Sequence, residues 1–88
     1  MTTEIIKQKL NESLQPSLIE IIDDSASHAG HAGAKAGAGH YNVTIVAEAF
    51  NDKTLVQRHQ LIYQALGDLM KTEIHALGIN ALTPSENL

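Results

Sequence analysis

The chain contains no cysteine and no tryptophan. Without cysteine it has no disulfide staple, no zinc ribbon of its own and no thiolate to offer a metal. Any thiol in a metal site built on this chain therefore comes from a partner. Aromatic residues make up 3% of the 88 positions, namely Tyr41, Phe50 and Tyr63. That is too few for the stacking platforms that bind single-stranded nucleic acid. Cations are scarce: six Lys and Arg stand against ten Asp and Glu, for a net charge of -4. The phosphate-neutralising term that dominates nucleic-acid affinity is therefore unfavourable overall. No apolar run approaches the roughly 18 residues of a membrane span. The first ten residues, with Glu4, Lys7 and Lys9, lack the apolar core of a secretion leader. A cytoplasmic protein is the expectation. Hydrophobic residues at 43% are enough for a folded chain, and the length sets a single domain over residues 1–88 with a thin core.

What the chain does have is histidine, five in all. His28, His31 and His40 lie in or beside one Gly/Ala-rich segment, SHAGHAGAKAGAGHY. His59 falls inside a helical pattern, and His75 opens the last apolar run. Imidazole is the commonest protein metal ligand and the side chain most easily switched near neutral pH. Nothing else carries chemistry of its own. There is no nucleophile beside a base, no phosphate loop and no paired-carboxylate signature. Asp23, Asp24 and Glu48 read as surface or turn acids, and the chain does not read as an enzyme.

Periodicity places these residues on elements. Thr2 or Thr3 caps a first helix, in which Ile6, Leu10 and Leu14 recur at helical spacing, Ile5 widens the stripe and Pro16 ends the run. Ser17 to Asp23 is a first strand. Residues 24–39 form a flexible loop, long enough to suggest a function. His40 to Ala47 is the second strand, with Tyr41, Val43, Ile45 and Ala47 on one face. A turn at Asn51–Asp52 leads to a helix from Thr54, whose apolar stripe runs Leu55, His59, Ile62, Leu66, Leu69. Gly67 weakens this helix and offers a break. Ile74 to Leu82 is the third strand, its alternation placing His75, Leu77, Ile79 and Ala81 together. Thr83-Pro84-Ser85-Glu86 matches a capping box with Pro at the first helical position, and a short final turn follows before the tail, 84–88, frays. The first two strands pair antiparallel, and the helical stretch makes a parallel crossover to the third. The fold class is α+β: a three-stranded mixed sheet with helices on one face, in the order α-β-β-α-(α)-β.

LIEIIDDSASHAGHAG leading into GHYNVTIVAEAF, then LVQRHQLIYQALGDLM and IHALGINALTP, resembles the BolA-like proteins from about Ile5 to Pro84. The Arg58–His59 pair, IHAL and the following TP are the specific part of the match. The resemblance implies a fold similar to the class II KH domain, without the Gly-x-x-Gly clamp of true KH domains. It also implies pairing with a monothiol glutaredoxin and a shared [2Fe–2S] cluster. The glutaredoxin cysteine, a glutathione thiol and donors of this chain would hold that cluster, in iron–sulfur maturation or in iron and redox sensing. His75 matches the family's ligand histidine. The second ligand falls between the first two strands, where His28 matches best and His31 and His40 are alternates. The Arg58–His59 pair reads as a packing and hydrogen-bonding device: His59 is a structural core histidine, and Arg58, with His75, is also a partner contact. The alternative is a KH-like nucleic-acid-binding regulator, opposed by the acidic charge, and a third reading is a metal-free homodimeric scaffold.

Overall fold

The computed structural model of this chain describes residues 2–24 and 39–87. The flexible-loop expectation for 25–38, and with it His28 and His31, lies outside the described residues. The first helix, α1, runs Thr2–Leu14 and buries Ile6, Leu10 and Leu14, each four positions from the next. Ile5 is displaced about 100° around the helix from Ile6 and is left exposed rather than widening the stripe. Gln15 ends α1 in a left-handed conformation, φ 48°, and donates its N–H to the Asn11 carbonyl at 3.1 Å. Pro16 then prevents continuation.

Strand β1, Leu18–Asp23, pairs antiparallel with β2, Gly39–Val46. Strand β3, Ile74–Leu82, pairs parallel with β2, which is therefore the central strand of a mixed sheet. Both pairings follow the expected topology. Tyr41, Val43 and Ile45 of β2 are buried beneath the helices. Ile19 and Ile21 flank them on one side, Leu77 and Ile79 on the other. Between β2 and β3 is a 3-10 turn, Glu48–Phe50, that sequence periodicity did not reveal. It drives Phe50 fully into the core.

Helix α2 spans Leu55–Leu66 and begins with a reciprocal capping box. The Thr54 side chain accepts from the Gln57 N–H, and the Gln57 side chain accepts from the Thr54 N–H. Its buried residues are Arg58, Ile62 and Leu66. This corrects the expected stripe: Leu55 is 65% exposed, and His59 is only half-buried. Hydropathy passes over Arg58 as an inward residue, yet a paired and hydrogen-bonded guanidinium can take that place. Gly67 breaks the helix with φ 54° and ψ -125°, a region that side-chain-bearing residues enter only under strain. A short helix α3, Leu69–Thr72, delivers the chain to β3.

Residues 84–87 form one 3-10 turn, Pro84–Asn87, closed by the expected capping box. Thr83 N–H donates to Glu86 Oε1 at 2.8 Å, and Glu86 N–H donates to Thr83 Oγ1 at 3.3 Å. Among the described residues no helix is long and apolar enough to cross a membrane.

Candidate metal centre at the ends of strands β2 and β3

The β2–β3 register runs residue for residue except at its first step. Gly39 lies opposite Ile74, but His40 lies opposite Ala76. His75 is thus the extra residue of a β-bulge, a device that re-aims a side chain at a strand end. The bulge corrects the expected alternation. Ile74 turns into the core at 4% exposure, Leu77 faces the helices again, and His75 leaves their row for solvent.

His40 and Ala76, by contrast, face away from the helices, as do Asn42 and Gly78 one pair further along. The bulged His75 ring therefore meets the His40 ring. Their centroids are 5.0 Å apart and their planes are inclined at 53°. Two imidazoles from adjacent strands thus converge at one sheet end, one half-buried and one exposed.

The backbone under this pair is tied down on several sides. The His40 carbonyl accepts the Asp24 N–H at 2.7 Å, and the Gly39 N–H donates to the Glu73 carbonyl at 3.1 Å. The Tyr41 ring folds back over Gly39, where an added Cβ would sit 2.5–2.6 Å from ring atoms. Only glycine leaves room for that buried ring. Gly39→Ala is expected to cost about 1–3 kcal/mol in chemical denaturation, as overpacking does, and to shift the His40 ring resonances. A change below about 0.5 kcal/mol, with unshifted resonances, would contradict this account of the strand entry.

Beside His40 lies a shallow depression of about 200 Å³, lined by Asp24, Tyr41, Asn42, Ala76, Leu77 and Gly78 as well as His40. Gly78 keeps it open, since a Cβ there would collide with the Asn42 side-chain oxygen. A larger cleft of about 550 Å³ lies at the opposite end of the strands, among Leu14, Ser17, Glu48 and Pro84, and contains no histidine.

Arg58, read as a packing and hydrogen-bonding residue that also meets a partner, is turned inward and 7% exposed. Its Nε donates to the Lys53 carbonyl at 3.1 Å and its Nη1 to the Ala81 carbonyl at 3.0 Å. Nη1 and Nη2 also grip the Glu86 carboxylate at 2.7 and 3.2 Å. Glu86 is held at a pKa of about 2, well below the usual carboxylate range, first by the Arg58 hydrogen bond and then by the Thr83 N–H. His59, expected in the core, is half-buried and meets the Tyr63 ring edge-on at 6.4 Å.

His75 and His40 are thus brought together, while Arg58 and His59 are elsewhere on α2. The juxtaposition depends on the bulge, which exists only relative to β2 and left no signal in the strand periodicity. Among the described residues no group of three or more His, Cys, Asp or Glu is gathered for a metal. A donor pair of imidazoles open to solvent suits a site completed by other molecules. It fits one iron of a [2Fe–2S] cluster, the arrangement of Rieske centres, in which two histidines replace two thiolates on one iron. It does not supply the four ligands of a whole cluster.

The model of the BolA-like protein family matches residues 10–86. The chain is 46% identical over 86 residues to SufE-like protein 1, chloroplastic/mitochondrial, of Arabidopsis thaliana, covering 92% of this chain but only 23% of that protein. The solved BolA domain of SufE1 from Arabidopsis thaliana superposes with a TM-score of 0.81 at 46% identity, over 92% of this chain and 90% of that one. The DNA-binding transcriptional regulator BolA of Escherichia coli is 33% identical over 86 residues, spanning 98% of this chain and 79% of the relative. With the family model matched over most of its length and the same α+β architecture in its structural relatives, this chain belongs to the BolA-like protein family.

Proposed function

We propose that this chain is a non-enzymatic partner of a monothiol glutaredoxin and shares with it a glutathione-ligated [2Fe–2S] cluster, in iron–sulfur maturation or iron and redox sensing. The observation that carries this reading is the His40–His75 ring pair, fixed at a strand end and open to another molecule. The chain has no cysteine, so the thiolates come from the glutaredoxin and from glutathione. His75 is one ligand. The second imidazole comes from His28, which matches the family best, or from the alternates His31 and His40; among the described residues the His40 ring adjoins His75. When bound, the cluster supplies one-electron chemistry. Nitrogen ligation raises its potential relative to four thiolates and makes its retention depend on keeping the imidazoles deprotonated.

Mixing the chain with a monothiol glutaredoxin, glutathione, iron and sulfide is expected to yield a heteromeric complex on gel filtration. Its visible circular dichroism should differ from that of the glutaredoxin homodimer. An unchanged spectrum with no complex would reject the pairing.

A second reading comes from the relative named as a DNA-binding transcriptional regulator. A net charge of -4 and three aromatic residues lead us to expect weak and strongly salt-dependent DNA binding. Nanomolar, sequence-selective binding in fluorescence anisotropy at physiological salt would reverse the order of the two readings.

A further inference from the structure

The cleft of about 550 Å³ lies at the sheet end away from the imidazoles, between the C-terminus of α1, the start of β1 and the turns after β2 and β3. Its volume falls within the range of small-ligand sites. Its polar groups are of one kind. Helix α1 ends here with Ser13 and Leu14, after 13 residues, and its last turn holds no basic residue. The end of a helix carries the negative end of its dipole. Its carbonyls also lack their usual donors. The Gln15 N–H answers the Asn11 carbonyl, but Pro16 has no N–H for Glu12, and the Ser17 N–H donates to the Val46 carbonyl at 2.8 Å rather than back to Ser13.

The Ser17 hydroxyl also donates to the Val46 carbonyl, at 3.3 Å, and keeps its lone pairs as acceptors. Glu48 lines the same cleft, exposed and, among the described residues, without a hydrogen bond or ion pair. No lining residue is cationic, and Leu14, Ala49 and Pro84 give it an apolar wall. The frame is fixed. The Ala47 N–H donates to the Leu82 carbonyl at 3.0 Å and the Asn51 N–H to the Glu48 carbonyl at 2.9 Å. Phe50, in the same turn as Glu48, is fully buried. Acceptors held in place before a ligand arrives lower the ordering cost of binding it.

We propose that this cleft binds a primary alkylammonium group, with its aliphatic stem along Leu14, Ala49 and Pro84 and its N–H donors directed to Glu48, the Ser17 hydroxyl and the open carbonyls of α1. Three rotatable donors suit scattered acceptors, whereas a guanidinium fork needs two parallel ones. A free polyamine and a lysine side chain of another protein both carry this group. The site is separate from the imidazole pair and independent of any pairing with a glutaredoxin.

Titration of the ¹⁵N-labelled full chain with spermidine and, in a second arm, with N-acetyl-lysine amide tests it. The expected result is saturation near or below about millimolar ligand, with backbone amide shifts centred on residues 13–17 and 48–51. Binding should weaken in high salt and be absent for 1,4-butanediol, which has no charge. Glu48→Gln should weaken it by at least about fivefold with an unchanged far-ultraviolet spectrum, while Glu20→Gln, an exposed acid on β1, should stay within about twofold of the parent. Tighter binding of spermidine supports a free polyamine as the occupant, and tighter binding of the lysine amide a partner's side chain. Three results would overturn the proposal: no saturable shift up to about 10 mM of either amine, shifts spread over all the surface acids, or equal binding by Glu48→Gln. The shifts of the unsubstituted chain decide the matter even if a variant fails to fold.

Discussion

Arg58→Ala is expected to lower the midpoint of thermal unfolding by about 5–10 °C, a large shift for a domain of this size. The side chain is buried and makes four hydrogen bonds to three parts of the fold. It joins the residue before the α2 cap, the end of β3 and the C-terminal turn. Truncation leaves the buried Ala81 carbonyl without this donor and removes the charged partner of Glu86, and an orphaned polar group costs more than a surface pair contributes. Arg58→Lys should recover little, because an ammonium cannot form the planar two-pronged grip on Glu86 while also reaching two carbonyls.

The Glu86 side chain is 44% exposed, so solvent screens that half of the pair. Glu86→Gln should therefore cost less than Arg58→Ala. Its cost should also depend on pH in a definite direction. The Glu86 pKa is depressed from 4.5 to about 2 in the fold. Its charge thus stabilises the folded chain fully above the unfolded value of 4.5, and that contribution is lost as pH falls toward 2. Melting curves of the parent and Glu86→Gln should converge as pH drops through this window. Parallel curves throughout, or an Arg58→Ala midpoint within a degree or two of the parent, would show that the Arg58–Glu86 pair does not hold these elements together.

The Arg58–Glu86 pair also marks where sequence periodicity stops informing. Buried apolar residues on one element announce themselves, so Ile6, Leu10 and Leu14 in α1 and the bounds of β3 were legible. So were signals carried by a few adjacent residues, such as the Thr83–Glu86 capping box and the break at Gly67. What escaped depends on contacts between elements. Arg58 was read as a packing and hydrogen-bonding residue, but its partner Glu86 lies 28 residues away and apolar periodicity passes over an inward guanidinium. The α2 stripe was therefore drawn through Leu55 and His59. Phe50 lies in a three-residue turn too short to have a period. The bulge at His75 exists only relative to β2, so strict alternation assigned its side chain to the wrong row. For the site, family resemblance picked out His75, and it left the second ligand among three histidines. The structure shows His40 to be a neighbour of His75, while His28 and His31 lie outside the described residues.

His75→Ala is expected to abolish the mixed cluster formed with a monothiol glutaredoxin, leaving only the glutaredoxin homodimer spectrum. The residue follows a buried anchor and occupies the bulge, so no neighbour on β3 can take over its position. Substitutions at the second ligand should be milder. His28→Ala should weaken the cluster while His31 or His40 partly compensates, and comparison with His40→Ala ranks the two. His59→Ala is the control. Its half-buried ring makes an edge contact with Tyr63 on the surface of α2, which bounds its cost in stability at about 1 kcal/mol or less and leaves the cluster spectrum unchanged. These outcomes are read by visible circular dichroism of the reconstituted complex, with far-ultraviolet spectra to establish folding. A full mixed-cluster spectrum from His75→Ala would remove that residue from the site. A folded His59→Ala variant that loses the cluster would move the site from the β2–β3 end to the face of α2.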